Sequence, residues 1–257
     1  MTESAADDAR QASFAYRFDW GMDGLRALAP AADVVVIVDV LRFTSAVTAA
    51  LEGGGTVLPL PWGCADAVDF AARHHAELGG ARSTGGPSLS PTDLLGLSQV
   101  GRIVLPSPNG SALSYSARDH GATRVLAGCL RNASAVARFI HRHIGDRATV
   151  AVIAAGERWR SDDGPLRPAV EDLLGAGAIL AALDPSGAVG VPGCSPEARA
   201  ARAAFLDARP RLFEALRSST SGVELLRRGW DDDVATSAAL DVTTVVGELI
   251  GNAYTAV

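Results

Sequence analysis

Four acidic residues in three separate stretches could together hold a hard cation: Asp39 in VVVIVDVLRFTSAV, Glu157 in AAGERWR, and Glu171 with Asp172 in PAVEDLLGAG. Mg2+ takes oxygen ligands and usually keeps several waters beside one or two carboxylates, so a set of this kind suits it. Asp39 has a second chemistry open to it, because a carboxylate can also attack as a covalent nucleophile. Anion-binding groups stand close by in the chain. Arg42, Thr44 and Ser45 follow Asp39 at what reads as a helix start, where free N–H groups and a guanidinium attract phosphate. PSPNGSALS repeats the arrangement: Asn109-Gly110 makes a tight turn and Ser111 suits an N-cap, which leaves helix N–H groups for an oxyanion. CLRNASAVA supplies Arg131 as a further anion contact and Asn132 as the N-cap of the next helix. Structural alternatives stand beside each of these. Asp39 could simply cap the helix with Arg42 paired to it, Asn109-Gly110 could be only a turn, and Glu171 and Asp172 could only complement a helix dipole.

Such residues matter only if the elements between them bring them together, and the hydropathy pattern says that they do. Strands are expected at Val34–Val38, Thr56–Leu60, Arg102–Leu105, Arg124–Ala127 and Ala148–Ala154. Helices are expected at Thr44–Leu51, Ala65–Leu78, Ser111–His120, Ala133–Ile144 and Ala169–Leu183. Strands alternating with helices predict a three-layer α/β/α fold with a largely parallel or mixed central sheet. Open sheets of this kind bind ligands beyond the carboxyl ends of their strands, which is where the candidate residues fall. Beyond Leu183 the pattern turns helical, with Pro196 at a helix start, and a last strand is expected at Val242–Val246. Residues 1–13 read as a flexible tail and 14–257 as one domain with a helical C-terminal elaboration.

Composition narrows the partners. The 257 residues carry 29 acidic and 23 basic side chains, a formal charge of −6 that repels nucleic acid and anionic lipid. Every basic residue is Arg. Schiff-base chemistry is therefore excluded, and the Arg-only, Ala-rich composition is of the kind that GC-rich bacterial genomes encode. No apolar stretch is long enough to cross a bilayer, and the acidic N-terminus does not read as a signal peptide. Cys64, Cys129 and Cys194 are too few and too far apart for a disulfide framework or a zinc knuckle, so they read as reduced packing thiols of a cytoplasmic protein. The P-loop, the dinucleotide G-x-G-x-x-G and the hydrolase G-x-S-x-G are absent. A homodimer is expected only from the prevalence of twofold assemblies.

Three segments taken together resemble the 2-phosphosulfolactate phosphatases: DVLRFTSAVTAALEGG at Asp39, PNGSAL at Pro108 with CLRNASAVA at Cys129, and AAG followed by EDLLGAGAIL at Glu171. The resemblance covers roughly 34–183 and is looser in the C-terminal third. It implies Mg2+-dependent hydrolysis of a phosphate monoester on a small sulfonated or carboxylated 2-hydroxy acid. Asp39, Arg42 and Glu171 would be catalytic, with Thr44, Ser45, Asn109, Gly110, Ser111, Arg131 and Asn132 binding substrate. The family pattern has a Gly-Glu-Arg-type loop leading to Gly-Asn-Ser-Pro; here GGARSTGGPSLSP stands in its place, with Leu89 before Ser90-Pro91 and Arg82 replacing part of the charge. The altered loop motivates a competing expectation, a non-catalytic sensor of small anions on the same scaffold.

Overall fold

An unbroken apolar run such as Val34–Val38 demands cover on both faces, and the fold supplies it. The computed structural model describes residues 9–82, 85–159, 164–187 and 193–257. The first half runs β1 (Tyr16–Trp20), α1 (Gly21–Leu28), β2 (Val34–Val38), α2 (Phe43–Glu52), β3 (Thr56–Pro61), α3 (Ala67–Arg73), β4 (Glu77–Leu78), α4 (Pro91–Gly96), β5 (Arg102–Ser107), α5 (Gly110–Ala117) and β6 (Arg124–Gly128). Then come α6 (Ala133–His143), β7 (Val150–Ala154), the short pair β8 (Glu157–Arg158) and β9 (Leu166–Arg167), and α7 (Val170–Leu183). The C-terminal part holds α8 (Pro196–Ala208), α9 (Leu212–Ser218), α10 (Thr220–Arg227), α11 (Asp231–Ala238), β10 (Gly247–Ile250) and β11 (Ala253–Ala256).

The period-2 geometry of β2 divides its side chains between two cores. Val34, Val36 and Val38 pack with Val136 and Ile140 of α6, Leu174 and Leu180 of α7, and Phe205 of α8. Val35 and Ile37 pack with Leu25 of α1, Phe43 and Val47 of α2, and Leu113 of α5. This is the expected α/β fold with three layers. The sheet has nine strands in the order β1-β7-β2-β6-β10-β11-β3-β5-β4. Two parallel blocks, β1-β7-β2-β6 and β3-β5-β4, are joined by the antiparallel hairpin β10-β11.

Three expectations are corrected. The last strand is not Val242–Val246 but the hairpin that follows it, whose two-residue turn carries Gly251 at φ +64. Residues 242–246 are anchored loop: the Thr243 N–H donates to the Arg131 carbonyl at 3.2 Å, and the Val257 N–H to the Val246 carbonyl at 3.0 Å. The helix expected over Ala65–Leu78 stops at Arg73. His75 takes φ +49, and the Ala76 N–H closes on the Ala71 carbonyl (2.9 Å) and the His75 N–H on the Ala72 carbonyl (3.1 Å), a Schellman ending that turns Glu77-Leu78 into an edge strand. Strand β1 and helix α1, unread in the sequence, begin the fold. At the tail boundary, the Gln11 side chain donates to the Phe18 carbonyl (2.9 Å) and accepts from the Phe18 N–H (3.2 Å); residues 1–8 lie outside the described residues.

Close approach of α7 and α8 depends on Gly177, where a Cβ would lie 2.2 Å from the Ala201 carbonyl oxygen and 2.7 Å from Phe205 Cβ. Gly177→Ala should therefore destabilise the protein by about 1–3 kcal/mol despite alanine's better helix propensity. Gly96→Ala, in the exposed last position of α4 with nothing within 4 Å of the added Cβ, should be neutral or stabilising by about 0.5 kcal/mol. Urea titrations of both variants check the pair.

Candidate active site

The ends of β2, β5 and β7 converge on Asp39, and main-chain N–H groups hold its carboxylate. Oδ1 accepts from the Phe43 N–H at 3.1 Å and Oδ2 from the Gly110 N–H at 2.8 Å. Only glycine permits the second bond, since a Cβ at 110 would lie 2.7 Å from Asp39 Oδ2 and 2.5 Å from Phe43 Cδ1. Asp172 does a similar task between strands: Oδ1 accepts from the Val40 N–H (2.7 Å) and Oδ2 from the Gly156 N–H (2.9 Å), stitching the first turn of α7 to the ends of β2 and β7. Glu157 follows β7 and accepts from Asn109 Nδ2 at 3.0 Å. Glu171 is buried, and its carboxylate has no hydrogen-bond partner among the described residues.

These four carboxylates feel one another. Burial pushes Asp39 up to about 6, against the pull of the Phe43 and Gly110 N–H groups, with Glu171 raising it further and Arg42 offsetting. Burial, and next the charge of Asp39, push Glu157 up to about 7. Asp172 is held well above the usual carboxylate range by burial and then by Asp39 and Glu171. Arg42 does not pair with Asp39; its Nη1 donates to Asp233 at 2.7 Å. Among the described residues, no three His, Cys, Asp or Glu side chains close into a ready-made metal cage. The donor set nevertheless fits Mg2+, which needs one or two carboxylates and completes its shell with water and substrate oxygens. Glu157 and Glu171 are the freest of the four to turn to it, because both oxygens of Asp172 and both of Asp39 already accept main-chain N–H groups; Asp39 could add only a remaining lone pair.

Beside the cluster lies a cavity of about 340 Å3, lined by Arg42, Trp62, Arg82, Pro106, Arg228 and Trp230 among others, a size that suits a small ligand. None of the four acids lines it, but Arg42 belongs to the segment after Asp39 and Pro106 to the end of β5, which puts it on the strand-end side of the sheet. A larger cavity of about 460 Å3 lies between α6, α7 and α8 and takes no residue from those strand ends. Arg82 is saturated, bonding Asp93 through Nε (3.0 Å) and Nη2 (2.8 Å) and Asp232 through Nη1 (3.0 Å) and Nη2 (2.7 Å).

Several expected substrate contacts are turned inward. The Thr44 hydroxyl donates to the Asp39 carbonyl (2.8 Å) and accepts from the Asp39 N–H (3.0 Å), while Ser45 Oγ donates to the Val40 carbonyl (2.8 Å). Ser111 lies inside α5, with Asn109 at the N-cap position, and its hydroxyl donates to the Leu105 carbonyl at 2.7 Å. Asn132 does not cap α6 through its side chain. Its Oδ1 accepts from the Cys129 N–H (3.0 Å), and Nδ2 donates to the Ala127 and Val245 carbonyls (3.2 Å each), leaving nothing for an anion. Arg131 donates to Glu52 and to the Thr236 carbonyl at 3.0 Å each. Glu52 ends α2, about 14 Å by helical rise from the end that Asp39 holds. All five are buried and turned to partners inside the protein, although Arg131 Nε is left without one.

Sequence reasoning missed Trp62, Arg228, Trp230 and Asp233. The W-D-D-D run at Trp230 was visible only as an acidic helix start, and nothing local indicates that Asp233 turns fully inward while Asp231 and Asp232 do not. Of the unusual loop before α7, residues 160–163 lie outside the described residues, as do 83–84 of the Gly79–Pro91 loop.

Fold and site together define an α/β enzyme built to handle a small anion at the carboxyl ends of its strands. A model of the family described as 2-phosphosulpholactate phosphatase matches residues 25–252. The 2-phosphosulfolactate phosphatase of Methanothermobacter thermautotrophicus is 30% identical over 202 residues, covering 77% of this chain and 79% of its own. Probable 2-phosphosulfolactate phosphatases of Thermus thermophilus and Gloeobacter violaceus are 28% identical over 223 residues (85% of this chain, 89% of the relative) and 31% identical over 226 (83% and 87%). The chain belongs to the 2-phosphosulfolactate phosphatase family.

Two outcomes follow from the geometry. Asp172→Asn turns an amide N–H2 toward a main-chain donor, so stability should fall by about 1–3 kcal/mol in urea titration. The raised acids set a pH dependence. Asp39 and Glu157 bind protons more tightly folded than unfolded, so without divalent ions stability should increase as pH falls from about 8 through 7 and 6 towards about 5. Melting temperatures across that range, with Glu157→Gln reducing the increase, check it; a flat profile contradicts the coupling.

Proposed function

We propose that the protein is an Mg2+-dependent phosphatase that hydrolyses the phosphate monoester of a small 2-hydroxy acid bearing a sulfonate or carboxylate, with 2-phosphosulfolactate as the reference substrate. The observation that carries this reading is the group of carboxylates at the strand ends with no ion-pair partner among the described residues, set beside Arg42 in a chain of this family. Glu171, with a remaining lone pair of Asp39, would hold the metal, which leaves Glu157 to act as a base. When bound, the metal supplies the positive charge that this cluster lacks and lowers the pKa of a coordinated water.

The chain's own groups do the rest. Arg42 meets phosphate oxygens or the second anion of the substrate, and its charge offsets the negative charge that builds up in the transition state. Glu157, oriented by Asn109, can take the proton of the attacking water. The water oxygen bonds to phosphorus, the ester P–O bond breaks, and the leaving alkoxide gains a proton, giving the 2-hydroxy acid and inorganic phosphate. Asp39 as nucleophile is the less favoured variant, because both its oxygens already accept main-chain N–H groups. The anion-sensor alternative gains no support from a family and relatives described as phosphatases. We assign the protein to a bacterial cytoplasm on its Arg-only composition and its three free cysteines, two of them buried. No helix among the described residues is long and apolar enough to cross a membrane.

Glu171 gives the cleanest test, because Glu171→Gln disturbs no hydrogen bond and relieves the repulsion that Glu171 exerts on Asp39, Glu157 and Asp172. The variant should keep or raise the melting temperature while kcat/KM on 2-phosphosulfolactate drops at least ~100-fold. Near-native turnover would remove Glu171 from the site. Exhaustive chelation should abolish activity and Mg2+ restore it, and a single turnover in 18O-water should put the label directly into phosphate.

A further inference from the structure

The partners of Arg42 come from the far end of the chain. Asp233, in the first turn of α11, is fully buried and accepts four hydrogen bonds: from Arg42 Nη1 (2.7 Å), the Ser90 hydroxyl (2.5 Å), the Thr92 N–H (3.4 Å) and Arg82 Nη1 (3.5 Å). Ser90 and Thr92 fix the carboxylate, so it cannot swing away from the arginine. Trp230, immediately before α11, presents its ring to the Arg42 guanidinium at 4.6 Å from the ring centre, a stacking distance for a cation on an indole face. A guanidinium has five N–H donors in a rigid plane. Asp233 engages one, Trp230 covers one face, and Arg42 makes no other hydrogen bond among the described residues. Arg42 itself lines the 340 Å3 cavity.

Arg82 plays a different part. Its bonds to Asp93 and Asp232 tie α4 to α11, and through Asp233 it steadies the same carboxylate that holds Arg42. The altered Gly79–Pro91 loop thus contributes a brace, and Arg42 keeps donors to offer a ligand, as does the exposed Arg228 on the same cavity.

We propose that Asp233 and Trp230 are positioning residues that hold the Arg42 guanidinium at the cavity mouth, so that its free donors meet an anionic group of the substrate. The inference rests on Arg42 as a substrate-binding residue, as assigned above. Asp233 is shut inside the protein and acts on the cavity through Arg42. Trp230 also lines the cavity and faces Arg82 and Arg228, but its effect on the anion runs through its stack on Arg42. The loss of either residue lets the Arg42 side chain sample its other rotamers and miss the anion.

A double-mutant cycle on the full chain tests this with Arg42→Ala, Asp233→Asn, Trp230→Leu and the two double variants containing Arg42→Ala. Asp233→Asn and Trp230→Leu should each lower kcat/KM for 2-phosphosulfolactate about tenfold, mainly by raising KM. In the Arg42→Ala background neither should add more than about a twofold loss, because the interaction is already gone. Losses that multiply, or an Arg42→Ala variant with native activity, overturn the proposal. Trp230→Leu keeps apolar bulk at a half-exposed position, so it remains informative if Asp233→Asn fails to fold. NMR of the Arg42 side chain gives a readout without turnover: slow guanidinium rotation in the native protein, released in both variants. Rotation equally fast in the native protein overturns the clamp. Released rotation in a protein that hydrolyses no phosphate ester would sink the phosphatase reading and leave the clamp standing.

Discussion

Three buried carboxylates, Asp39, Glu171 and Asp172, and the half-buried Glu157 repel each other, and main-chain N–H groups make the arrangement tolerable. Asp172 receives two such groups, from Val40 and Gly156, and Asp39 receives two, from Phe43 and Gly110. An ionised carboxylate taken out of water without such donors would neutralise or pull the structure apart. The donors belong to the segments just beyond β2, β5 and β7 and to the start of α2, so satisfying the acids also fixes how these elements meet. Even so the compensation is incomplete: Asp39, Glu157 and Asp172 all stay above the ordinary carboxylate range, the state of a site that is short of positive charge.

Charge is sorted by place. At the strand ends the acids have no ion-pair partner among the described residues, whereas around the neighbouring cavity Arg82 is matched by Asp93 and Asp232, Arg42 by Asp233 and Arg228 by Glu224. Each of these arginines is held by a carboxylate, so none is left a mobile, self-repelling group, and one indole, Trp230, faces three of them within 6.0 Å. An anion entering there meets a guanidinium whose direction is already set. Setting it in advance avoids an ordering cost at the moment of binding.

The C-terminal third is what joins these regions. Its hairpin completes hydrogen bonding between two parallel blocks that would otherwise each expose an edge, and α11 lies against α4 across the arginine cavity. The looser resemblance there does not mark a dispensable elaboration, because the sheet and the orientation of Arg42 both depend on it.

What the sequence determined by itself is the material that periodicity and strand-end position can encode. The all-apolar run of β2, the amphipathic α6 and the apolar α7 appear within a residue or two of where their patterns put them, since local burial has one solution for each pattern. The convergence of Asp39, Asn109-Gly110, Glu157 and Glu171-Asp172 was likewise legible, because parallel βα units deliver their strand ends to one side. Tertiary structure alone decided which polar group meets which. Arg42 finds Asp233, 191 residues away, rather than Asp39 three residues before it. Asn132 spends its amide on Ala127 and Val245, and Arg131 turns to Glu52. Hairpin β10-β11 displaced the strand expected just before it, because the edges of two finished sheet blocks select the segment that can pair with both. A hydrogen-bond partner is chosen by distance after folding, and no local pattern of residue types carries that distance.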